Sequence, residues 1–157
     1  MNKLRVMKDC AMRRIIGLLV LWIAGCASTP QATRERDAEA KQFGSSPATA
    51  TVYIYRTGAA PDETVLWIDD RLIGATLPYS YFRVQLDAGP HVFTGLAADA
   101  GRLALETLPG EVYFVEHAIS AGQSRFRPVA AEMGKKVVTN CCHLLESWAP
   151  GQRPLLR

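Results

Sequence analysis

The sequence has no apolar run long enough to cross a bilayer. Its longest, Ile15 to Ala24 (IIGLLVLWIA), would rise only about 15 Å as a helix, half of a bilayer's hydrocarbon thickness. Cysteine is scarce: besides Cys10 and Cys26 there is only the adjacent pair Cys141 and Cys142. A bond between neighbours is strained, so two half-buried free thiols are expected there and no disulfide framework is indicated. A dominant charge is also missing. Lys3, Arg5, Lys8, Arg13 and Arg14 all precede the apolar run with only Asp9 opposing them, so 13 of the 18 basic and 14 of the 15 acidic residues lie beyond Cys26. The pI of about 8.8 belongs to the leader and gives no footing for nucleic-acid binding.

Signatures of catalysis are absent as well. No Gly-x-Ser-x-Gly elbow, phosphate-cradling glycine loop or dinucleotide fingerprint occurs. His91, His117 and His143 lack the close spacing of a metal site, and Cys141, Cys142 and His143 would point about 100° apart on a helix. Asp69 and Asp70 pair two carboxylates, but in a tight turn, where aspartate bonds its own backbone. The expectation is a non-enzymatic protein with no cofactor and no metal.

What is present begins with a basic segment ending in Arg13 and Arg14, then the apolar segment, then small residues at a cut site, the three parts of a secretory signal. Met12 opens a more compact version of the same signal. Ile23-Ala24-Gly25-Cys26 resembles the lipobox of bacterial lipoproteins. That resemblance implies cleavage before Cys26, a diacylglycerol on its thiol, and a membrane as partner; two or three acyl chains hold a soluble domain where one would not. Ala27 after the cysteine implies sorting to the outer membrane, facing the periplasm. The expected layout is a removed leader over 1–25, a lipidated cysteine and flexible tether over 26–50, a domain over 51–148 and a loose tail over 149–157. The tether assignment rests on composition: between Ala27 and Ala50 only Phe43 is large and apolar, and the central "RERDAEAKQ" has room for no more than a helical turn or two.

From Thr51 onward short β-branched and aromatic runs alternate with turn residues. "TVYIYR", "TVLWID", "LIGAT", "YFRVQL", "HVFTGL", "RLALETL", "VYFVEHAI" and "SRFRPVA" read as strands, the last at an edge because of Pro128. The predicted fold is all-β, an antiparallel sandwich of seven or eight strands, Ig-like or prealbumin-like. Met133, Val137, Val138, Cys141, Leu144 and Leu145 recur at helical spacing, predicting a short C-terminal helix packed on an open end of the sandwich.

The segment order "VYIYR", "WIDDRLIG", "SYFRVQLDAGPHVF" and "PGEVYFVE" resembles the bacterial domain of unknown function 2846, over roughly Thr51 to Leu145. The resemblance implies a lipoprotein or periplasmic β-sandwich and carries no catalytic residues. The aromatics Tyr53, Tyr55, Trp67 and Tyr81 have two readings: cross-strand pairs that stabilise the sheet, or an outward row that stacks on sugar rings or a partner protein. The functional expectation is a lipid-anchored interaction or envelope-maintenance module; the alternative is a module binding peptidoglycan or another envelope glycan.

Overall fold

In a computed structural model of the protein, residues 29–59, 64–95, 101–120 and 123–148 are described. The strands are β1 (Ala50–Arg56), β2 (Thr64–Ile68), β3 (Arg71–Thr76), β4 (Ser80–Leu86), β5 (Gly89–Thr94), β6 (Arg102–Thr107), β7 (Val112–Ser120), β8 (Gln123–Val129) and β9 (His143–Leu144). The helices are α1 (Arg34–Ala40) and α2 (Ala131–Cys141). One sheet has the order β8-β7-β1-β4-β9, the other β3-β2-β5-β6. The β-sandwich is as predicted, and Pro128 does lie in an edge strand. The pairing is mixed rather than wholly antiparallel: β1 runs parallel to β7 and β4 parallel to β9. The physical reason is that β7 returns to β1 only after the chain has built the second sheet, a crossover rather than a hairpin.

Alternation along β1 explains how the layers stack. Val52 and Ile54 enter the core between the sheets with Leu66, Ile68, Ile73, Phe82, Phe93 and Val115. Tyr53 and Tyr55 point the other way, into a second cluster with Tyr81, Phe114, Val138 and Leu144. Both faces of β1 are therefore covered, and all seven of its residues are buried. A helix on the outer face of a sheet does what a second sheet does on the inner one: it removes an apolar surface from water.

Between β2 and β3 the turn residues Asp69 (φ 50°) and Asp70 (φ 61°) are both left-handed, as a two-residue type I′ hairpin demands. Turn chemistry accounts for the paired carboxylates.

Three expectations are corrected. The segment assigned as a flexible tether folds from Thr29 onward: α1 is capped by the Thr33 hydroxyl, and Thr29, Ala40 and Ala50 are buried. Its order comes from polar docking and from Phe43, whose ring meets Tyr53 and Phe114 at 5.2 and 5.6 Å. The C-terminal helix covers the outer face of the five-stranded sheet instead of an open end, and it presents Gly134 and Val138 inward while Met133 is 56% exposed. Leu144 and Leu145 have left the helix for the β9 segment. Finally, Cys141 and Cys142 form a disulfide rather than two free thiols. The helix ends at Cys141 and the backbone is extended at Cys142, so the two side chains do not keep helical spacing.

Candidate functional site

The N-terminal segment forms a strap across one open side of the sandwich. Thr29 Oγ1 donates to the Ala75 carbonyl at 2.7 Å and accepts from the Ala75 amide at 3.0 Å, capping the free edge of β3. The next residues run along β9: Glu146 N–H donates to Pro30 O at 2.8 Å and Ala32 N–H to Leu144 O at 2.9 Å, around the Gln31 to Leu145 bridge. Beyond β9 the chain crosses the same seam, and Trp148 N–H donates to Ile73 O at 2.8 Å. Edge strands expose unpaired backbone groups, and here two segments occupy them.

Of the residues singled out from sequence, Ile23, Ala24, Gly25 and Cys26 lie outside the described residues. Tyr53, Tyr55 and Tyr81 are 0–2% exposed, packed beneath α1 and α2, so these rings are not available to stack on a ligand. Two of the hydroxyls are used internally: Tyr53 donates to Ala40 O at 2.7 Å and Tyr81 to Asp37 Oδ1 at 2.9 Å. Burial, followed by the carboxylate of Asp37, pushes the Tyr81 hydroxyl's pKa far up, so it remains a donor. Trp67 stands apart. It is half-buried on the outer face of the four-stranded sheet, opposite Leu72 and Thr94 in the register.

Sequence reasoning missed a polar cluster at one end of the sandwich. Arg56, Thr64, Thr76, Ser80, His117 and Ser124 are all buried, and each lies close to a strand end facing that pole. His117 shares the inward face of β7 with Val115, stacks on Phe126 at 4.4 Å, and holds Nε2 3.0 Å from Ser124 Oγ, itself 3.3 Å from Thr64 Oγ1. Arg56 Nη1 donates to Thr76 O at 3.3 Å. Nδ1 of His117 finds no hydrogen-bond partner among the described residues, so the less costly tautomer carries its proton on Nε2. Burial, and then the charge of Arg56, lowers the His117 pKa to about 3. A histidine next to a serine has the outline of a base and nucleophile, but a base this weak has little proton affinity at neutral pH, and both side chains are sealed from solvent. Polar residues recurring at strand ends were the available signal.

His91 has the opposite electrostatics. It sits at the other pole with Nδ1 against the Asp69 carboxylate and Nε2 2.8 Å from Asp87 O. Burial works against its charge, but the hydrogen bonds to Asp69 and Asp87 and their negative charges prevail and raise its pKa. Asp69, which also accepts from Val92 N–H at 2.7 Å, is lowered in turn despite its partial burial. Stability should therefore have a maximum near pH 6.5. Below that value the unfolded chain protonates its copy of His117 while the native one stays neutral, a loss approaching about 1.4 kcal/mol per pH unit. Above it the stabilisation from charged His91 is lost as pH rises through its raised pKa. Urea unfolding from pH 5 to 8 measures both limbs, and His117→Phe should flatten the acid limb alone.

Among the described residues no group of three or more His, Cys, Asp or Glu side chains could hold a metal ion. No helix among the described residues is long and apolar enough to cross a membrane.

Fold and site define a two-sheet β-sandwich with a helix-covered outer face, an N-terminal strap closing one seam and a hydrogen-bonded polar pole. The chain is 32% identical over 138 residues to an uncharacterized protein of Haemophilus influenzae, a match covering 82% of this chain and 81% of that one, and it belongs to that protein's family. No family model and no solved structure matches the chain.

Proposed function

We propose that the protein is a lipid-anchored lipoprotein of the bacterial envelope, acylated on Cys26, with the sandwich acting as a non-enzymatic interaction or envelope-maintenance module. One observation carries this reading: a basic segment ending in Arg13 and Arg14, the apolar run Ile15 to Ala24 and Ile23-Ala24-Gly25-Cys26 follow one another in the order of a lipoprotein signal, and every described residue lies beyond Cys26. Ala27 directs the sorting to the outer membrane, and the likeness to the domain of unknown function 2846 rests on the quoted strand-and-turn stretches alone. The glycan-binding alternative keeps only Trp67 of its four aromatics outside the buried layers. In cells fed a palmitate analogue, Cys26→Ala should lose the label and leave the membrane fraction. Continued labelling and sedimentation with membranes would overturn the anchor.

A further inference from the structure

We propose that the free edge of β3, with Thr29 and Trp148 against it, rests on the bilayer surface; this builds on the acylation of Cys26. Three residues of extended chain reach at most about 11 Å, so Thr29 cannot lie farther than that from the acylated cysteine. A domain of this size has a radius of gyration of about 14 Å. The link is shorter than the domain is thick, and the face from which the chain emerges must meet the headgroups.

That face is fixed by described residues. Thr29 is buried and bonded to both backbone groups of Ala75, while Trp148 N–H bonds to Ile73 O two residues back along the same edge. Strand rise puts these two attachments about 7 Å apart. Trp148 is only half-buried, and the turn after β3 carries Tyr79 at 47% exposure. Both side chains have an apolar ring and a polar tip, the combination favoured where headgroups meet hydrocarbon. The edge itself is suited to the position, because the Ala75 amide and the carbonyls of Ile73 and Ala75 are already paired and need no water. With the chain beyond Cys26 near neutral, attraction comes from the acyl chains and these rings rather than from charge.

The test uses acylated protein purified from membranes and reconstituted in vesicles whose lipids carry nitroxide on the headgroup. Trp67→Phe leaves Trp148 as the one tryptophan beyond Cys26, and its emission should fall by half or more compared with unlabelled vesicles. A tryptophan introduced by Leu108→Trp, in the exposed turn at the opposite pole, should keep its emission in a background lacking the other two. A long Gly/Ser insertion between Ser28 and Thr29 should restore Trp148 emission without changing the acylated mass. Absence of acyl groups in the mass spectrum would defeat the anchoring reading itself. Normal acylation with unquenched Trp148, or equal quenching of the Leu108→Trp reporter, would overturn the membrane-facing edge alone. Protection of Trp148 from aqueous iodide without nitroxide quenching would mean that a second copy covers the edge, and would overturn it too.

Discussion

Replacing Gly134 with alanine should destabilise the domain by about 2 kcal/mol or more, although alanine is the better helix former by about 1 kcal/mol. A Cβ on Gly134 would meet Cγ of Phe114 at 2.2 Å and its Cβ at 2.5 Å. These are atoms at the root of a buried ring, fixed to the backbone of β7, so they cannot swing away. The helix would have to rise off the sheet and open the Tyr53, Phe114 and Val138 cluster. Urea unfolding of Gly134→Ala, Phe114→Ala and the double variant forms a cycle. The two changes should be less damaging together than their sum, because truncation at position 114 removes the Cγ and Cδ1 atoms that the new methyl would meet. Additive losses would mean that α2 does not depend on this close approach.

Asp37→Ala should cost about 3 kcal/mol, a large loss for a residue in a helix of seven. The carboxylate accepts from Lys41 Nζ at 2.8 Å, Tyr81 Oη at 2.9 Å and Leu144 N–H at 2.9 Å, and Lys41 Nζ in turn donates to Cys142 O at 2.7 Å. One side chain thus ties α1 to β4, β9 and the end of α2. Its removal leaves a partly buried hydroxyl, amide and ammonium short of an acceptor. Partial burial raises the Asp37 pKa, but its three donors and the Lys41 charge outweigh that and lower it. The stabilisation is complete above the unfolded-state value and is lost as pH falls through the lowered one. Thermal unfolding at pH 7 should place Asp37→Asn between wild type and Asp37→Ala, since the amide retains one acceptor oxygen.

The contrast between these residues shows what could be read from the sequence. Strands were legible because period-2 alternation is a direct imprint of burial: Val52 and Ile54 against Tyr53 and Tyr55 gave β1 both its position and its two faces. The "DDR" turn was legible because its two central residues tolerate the left-handed region. α1 was legible only as a helical turn or two in "RERDAEAKQ"; its docking was not, because it carries no apolar stripe and a single aspartate with partners 44 and 107 residues away holds it. That in turn concealed why Tyr53, Tyr55 and Tyr81 face away from the main core, since local alternation distinguishes two faces but cannot say whether a helix from elsewhere covers one of them. The polar pole escaped for a similar reason. His117 and Ser124 look like isolated residues until β8 pairs with β7 and Thr64 is brought across from the other sheet.

The strap also determines how the domain carries tension. A pull on the chain ahead of Thr29 is divided at once between the two sheets, through Ala75 of β3 on one side and through Leu144 and Glu146 on the other. The two sheets are thereby drawn together at the seam instead of being peeled one from the other. A domain loaded in this way resists separation of its core layers until that seam gives way.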